Sequence, residues 1–244
     1  MTLYVVGALG AFAGGFVQGC VGFGMAIILT PLMMLVAPQE YVIPMVVIIG
    51  FTNVVLLTWR LYRNASREIL VRLVLGAAIG IPLGVQVLAA FSGPGFRVAL
   101  GLFMVVFAAV MFSGWTRPLR NQRAALLWVG LASGFLGGST SISEPPLVIF
   151  LSNQRVSKEV FRATMVCYFA LTGVIGLASF AWKGLITAPV VTNAAACLPL
   201  MLLGTYFGMR LATRVSEEHF RRASMAAAGI MGAVLTANNL PGLF

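Results

Sequence analysis

Apolar runs of 18 or more residues recur along the whole of this 244-residue chain. Each is long enough to cross a bilayer as a helix. That pattern removes most other folds, because a segment in lipid must satisfy its backbone polar groups internally. Charged residues make up only 9% of the chain, against about 25% in soluble domains. The chain therefore reads as an all-α polytopic membrane protein with no stretch left for a sizeable soluble domain. The opening MTLYVVGALG lacks the positive n-region of a signal peptide, so it is expected to belong to the fold.

Six uninterrupted spans fall at about 41–59, 73–91, 97–115, 163–182, 187–209 and 222–238. Two further segments, 3–37 and 124–154, are too long for one span of about 20 residues. Each is broken by glycine-rich polar sequence: GGFVQGCVGFG in the first, GGSTSISEPP in the second. Irregular backbone at membrane depth survives only when buried in protein or lining a wet cavity.

A net charge of +10 would suggest nucleic acid in a soluble protein. Here the basic residues cluster in short loops, where they set orientation, and no nucleic-acid partner is expected. Arg60, Arg63, Arg67 and Arg72 crowd loop 60–72; Arg117, Arg120 and Arg123 the linker 116–123; Arg155, Lys158 and Arg162 loop 152–162. Arg210, Arg214, Arg221 and Arg222 do the same in 210–222, whereas 38–40, 92–97 and 183–186 are poor in positive charge. The basic loops are assigned to the cytoplasm, the others and both termini to the outside, in a bacterial inner membrane. Segments 3–37 and 124–154 must then each enter and leave on one side, as re-entrant or broken hairpins.

The halves repeat. Gly15-Phe16 parallels Gly134-Phe135, and Thr30-Pro31-Leu32 loosely parallels Pro145-Pro146-Leu147. Gly80, Gly84 and Phe96-Arg97 match Gly204, Gly208 and Phe220-Arg221 at an offset of 124. Charge bias alternates between matching loops, so the repeats read as inverted: residues 1–115 and 124–244, each a hairpin plus three spans, joined by the basic linker 116–123. Inverted repeats with matching helix breaks point to secondary transporters, and the breaks to the binding site.

AFAGGFVQGCVGFGMAIILTPLMML and GLASGFLGGSTSISEPPLVIFL resemble the two glycine-rich signatures of the TauE/SafE sulfite-exporter family. The resemblance runs over essentially the whole chain. It differs at Ser139, Thr140 and Ser141, where the family carries a run of glycines. It implies a multi-span transporter of sulfite, organosulfonates or related small sulfur anions.

An anion in the membrane needs donors that add no buried charge, and helix starts supply them. Gly138, Ser139, Thr140, Ser141 and Ser143 in the second hairpin, and Gln18, Gly19, Cys20, Gly22, Gly24 and Thr30 in the first, are the candidate substrate-binding residues. Pro145 suits a helix start. Glu144 is the one carboxylate far from a loop. An ionised acid at a helix centre costs about 2.5–3.5 kcal/mol on insertion scales, which marks it for function. Its candidate role is proton coupling: ionised it repels an anion, protonated it can hydrogen-bond one. The alternative is a cap reaching backbone N–H groups or Lys183. Of the polar residues within spans (Thr52, Asn53, Gln86, Tyr168, Thr172 and Asn193), Asn53, Gln86 and Thr172 are expected to line the pathway.

Two other readings stay open: an anion channel of the same architecture, and a sulfur-transfer protein using Cys20. The second has no histidine near it, since His219 lies in a loop. Cys20, Cys167 and Cys197 show no metal spacing, no GxxxxGK[ST] signature is present, and neither catalytic residues nor cofactors are expected.

Overall fold

The computed structural model describes residues 2–91, 93–113, 122–153, 157–211 and 217–243. Among them lie ten α-helices: α1 (Thr2–Val21), α2 (Met25–Met34), α3 (Gln39–Leu61), α4 (Arg67–Ala90), α5 (Pro94–Phe112), α6 (Gln122–Thr140), α7 (Glu144–Asn153), α8 (Lys158–Trp182), α9 (Ala188–Leu211) and α10 (Glu217–Asn239). Five of these, α1, α3, α4, α8 and α9, are long and apolar enough to cross a membrane. The chain is an all-helical, multi-pass membrane protein. Most of the basic linker 116–123 lies outside the described residues, as do the side chains of Phe220 and Arg221.

Every uninterrupted span is one helix, but several start earlier than the apolar runs do. α4 begins at Arg67 and α8 at Lys158, because polar residues can extend a helix beyond its apolar stretch. A serine stands just ahead of each: Ser66 before α4, and Ser157, whose hydroxyl accepts from the Val160 N–H at 3.4 Å, before α8. Trp59 and Trp182 project outward at the ends of α3 and α8, the usual place for amphipathic rings at a membrane interface.

The two long segments are indeed helix–break–helix units, with unequal arms. α1 has 20 residues and α2 has 10; α6 has 19 and α7 has 10. At 1.5 Å per residue the first arms run about 30 Å and the second about 15 Å. The break comes late because the first arm continues through its glycines, which are helical, until Gly22 and Gly24 take φ of 89° and 99°. Such values suit glycine alone among ordinary residues. The second break uses Ser141 instead, the one non-glycine residue with positive φ (62°) among those described.

The bounds of α2 and α7 differ by 119 at both ends, 25 to 144 and 34 to 153. At that register Thr30-Pro31-Leu32 does not match Pro145-Pro146-Leu147. Pro31 is the seventh residue of α2, whereas Pro145 and Pro146 are the second and third of α7. Pro146 lies four residues closer to its break than Pro31 does to the first.

The matched glycines lie in reciprocal seams. A Cβ on Gly80 or Gly84 would sit 2.2 or 2.1 Å from the carbonyl oxygens of Leu131 or Phe135 on α6. One on Gly204 or Gly208 would sit 2.1 Å from those of Phe12 or Phe16 on α1. Small residues four apart thus let α4 approach α6, and α9 approach α1, backbone to backbone. Partner carbonyls again differ by 119 (12 to 131, 16 to 135). α3 also packs on α8, and α5 on α10. Each long arm therefore beds on a helix of the other half. Gly19 lies against Thr205 and Met209 near the end of α9, and Gly138 against Ile81 and Val85 towards the end of α4.

Candidate functional site

The two breaks meet. The Gly24 N–H, which caps α2, donates to Glu144 Oε1 at 3.4 Å, and the Thr30 and Ser141 hydroxyls are 2.6 Å apart. Beside them lies a cavity of about 90 Å³. A single water needs only about 10–15 Å³ on that measure, so the space suits a cluster of waters or one small solute.

Its lining has two characters. Gln18, Ser133, Ser141, Ser143, Glu144, Tyr168 and Thr172 bring polar groups; Phe51, Phe169 and Phe180, with Met25 and valines of α3, supply an apolar wall. Helical spacing explains how each helix delivers its share. Ser133, Gly137 and Ser141 recur every four residues along α6 and its end, and Tyr168, Thr172 and Gly176 do so along α8.

Glu144 is 4% exposed. One carboxylate oxygen meets Gly24, and the N–H groups of Ser143 and Glu144 itself lie close to the carboxyl. Oε2 is buried and has no hydrogen-bond partner. Lys183, offered from sequence as a counter-charge, instead lies 5.4 Å from the Trp182 ring centroid.

Backbone donors are scarcer at this end than the sequence suggested. A helix start ordinarily leaves four N–H groups open, but Pro145 and Pro146 have none to give. Polar side chains fill part of that place. Tyr168 OH donates to Ser133 Oγ at 2.9 Å, and Ser133 Oγ donates to the Ser143 carbonyl at 2.6 Å, which fixes the turn into α7. Across the cavity, Asn53 Nδ2 donates to Gln18 Oε1 at 2.6 Å, and Thr205 Oγ1 lies 2.9 Å from Asn53 Oδ1. That arrangement leaves the Gln18 Nε2 as the group able to donate to a ligand.

The other expected residues divide clearly. Gln18, Ser141, Ser143, Glu144 and Thr172 line the cavity. Gly22, Gly24 and Thr30 shape the first break, and Asn53 orients Gln18. Gly19 and Gly138 are instead close-packing positions in the two seams. The Cys20 thiol donates to the Gly208 carbonyl at 3.1 Å. Ser139 and Thr140 return their hydroxyls to the carbonyls of Phe135 and Leu136 within α6. Gln86 is exposed on the outer side of α4, away from the cavity. Arg97 is engaged locally, donating to Gln39 Oε1 and the Ala37 carbonyl. Ser133 and Thr205 were not foreseen, and Tyr168 was passed over among the polar residues, although the four-residue spacing on α6 and α8 carries that signal.

Helices of membrane-spanning length and two helix breaks that meet beside a cavity of mixed polar and apolar lining fit a membrane protein of the transporter class. The chain belongs to the sulfite exporter TauE/SafE family, whose model matches residues 6–235. It is a family of transporters, not of enzymes. A curated relative, the probable sulfite/organosulfonate exporter TauE of Cupriavidus necator, is 27% identical over 175 residues, covering 67% of each chain. No solved structure matches.

Proposed function

We propose that this protein is a secondary active transporter of a small sulfur-containing anion, sulfite or an organosulfonate, with its site in the cavity where the two helix breaks meet and with Glu144 as the proton-coupling group. The observation that carries this reading is the buried Glu144 carboxyl at that junction, held by Gly24 of the other hairpin. The Ser143 hydroxyl and the Gln18 amide would donate to the sulfur oxyanion, with Ser141 and Thr172, whose hydroxyls donate to the Thr140 and Tyr168 carbonyls, shaping the lining, and the Tyr168–Ser133 pair would position the second break. Among the described residues no lysine or arginine lines the cavity, so an anion enters comfortably only when Glu144 carries a proton. Proton and anion then move together.

The two halves are read as inverted-topology repeats, residues 1–115 and 124–244, in a bacterial inner membrane with both termini outside. The reciprocal α4–α6 and α9–α1 seams and the alternating loop charge support that reading, and helix breaks in corresponding positions of two halves are typical of alternating-access transporters. Purified protein in liposomes tests the whole. Sulfite or sulfonate uptake should saturate and follow an imposed pH gradient, and Glu144→Gln should remove the pH dependence. Current that rises without saturation would identify a channel instead, and an unchanged pH profile in the variant would remove Glu144 from the coupling.

A further inference from the structure

The cavity is unlike a plain anion pocket. Among the described residues its one charged side chain is a carboxylate, an oxygen of that carboxylate has no hydrogen-bond partner, and three phenylalanine rings stand in the same lining. Those are the features that receive an ammonium group: a carboxylate oxygen to accept its hydrogen bonds and aromatic faces to hold positive charge. The Ser143 hydroxyl and the Gln18 amide supply a second, donor-bearing region in the same space, the hydroxyls of Ser141 and Thr172 being turned to the Thr140 and Tyr168 carbonyls.

Resting on the reading above, we propose that the site is matched to a fixed total charge. It takes either a simple anion together with a proton on Glu144, or a zwitterion whose ammonium group replaces that proton at Oε2 while its sulfonate meets the Ser143 hydroxyl and the Gln18 amide. The structure thus points to short aminoalkanesulfonates as a substrate class of this cavity, bound without a proton. The groups facing Glu144 leave it as the deciding charge. α6 offers Ser133, α8 offers Tyr168, and Gly24 precedes α2. Cys20 on α1 is turned to the Gly208 carbonyl, and Arg162, at the start of α8, donates to the Gly19 carbonyl at 2.6 Å.

The test compares ethanesulfonate with 2-aminoethanesulfonate, which differ by the amino group alone, in binding to purified protein at about pH 6 and about pH 8. An alkylammonium stays charged across that range. In the unsubstituted protein, ethanesulfonate should bind more weakly as pH rises, while the amino compound, which competes with the proton for Glu144, should bind more tightly. At the higher pH the amino compound should bind about tenfold or more tightly than ethanesulfonate, the size expected for a charge-assisted hydrogen bond. Glu144→Gln should erase the preference and bind ethanesulfonate alike at both pH values. The comparison within the unsubstituted protein decides the matter if that variant does not fold. Equal binding of the two sulfonates, with both weakening as pH rises, would overturn the inference and leave the proton-coupled anion reading standing. Failure of both to bind at either pH would overturn both.

Discussion

An alanine at Gly84 would place its Cβ 2.1 Å from the Phe135 carbonyl oxygen and 2.8 Å from the Ser139 nitrogen. Ordinary contact begins near 3.4 Å, so the added carbon falls short by about 1.3 Å. Both obstacles are backbone, and no rotamer change removes them. α4 and α6 must part, and the second break moves with α6. Overpacking costs about 1–3 kcal/mol, and a backbone obstacle belongs at the top of that range. For a chain of this size each kcal/mol lowers the melting midpoint by about 2–4 °C, so the loss should be about 6–12 °C. Gly208→Ala meets the Phe16 carbonyl oxygen at the same 2.1 Å and should cost as much. Gly176→Ala is the control: its Cβ would meet nothing nearer than Val47 at 3.7 Å, and alanine favours the helix. Melting of the detergent-purified proteins, followed by fluorescence-detected size exclusion, measures all three. A Gly84→Ala midpoint within about 2 °C of the parent would refute the close approach. A large loss at only one of the two seams would refute their equivalence. Transport should fall as well, because a shift of that size would carry Ser141 away from Thr30, now 2.6 Å distant.

Thr205→Val removes the hydroxyl that reaches the Gly15 carbonyl and Asn53 Oδ1. Leaving buried polar groups unpaired should cost about 1–3 kcal/mol, read as a lower melting midpoint, and should weaken substrate binding through the loosened Gln18. Cys20, Cys167 and Cys197 are all buried, so a maleimide should label them only after denaturation; labelling of Cys20 in the folded protein would contradict its place in the α1–α9 seam. Cysteines placed at Asn64 and Glu159 should react with an impermeant reagent from one side of the membrane and a cysteine at Lys183 from the other. Any other pattern would refute the proposed orientation.

Span positions were legible because apolar runs are long and basic loops punctuate them. The seams were legible too: small residues four apart at a constant offset announce helices that touch, though not which helices. Partner choice is where sequence reasoning fails. Gln18 and Asn53 lie 35 residues apart and Asn53 and Thr205 lie 152 apart, and no local period links them. Gln86 is a different kind of failure, because its position was readable. The buried face of α4 runs through Ala77, Gly80, Ile81, Gly84, Val85 and Leu88, steps of three and four that leave Gln86 off the stripe. Its polarity suggested a pathway when its phase pointed outward. The serines of the second break sort by the same rule. Ser139 and Thr140 belong to the last turn of α6, where a hydroxyl can return to the carbonyl four residues back, whereas Ser141 turns out of the helix at positive φ and so reaches the other hairpin. A polar residue near a helix break thus becomes available to a ligand when the backbone takes it off the helix. That is why the position of the break, more than the number of hydroxyls around it, decides what this cavity can hold.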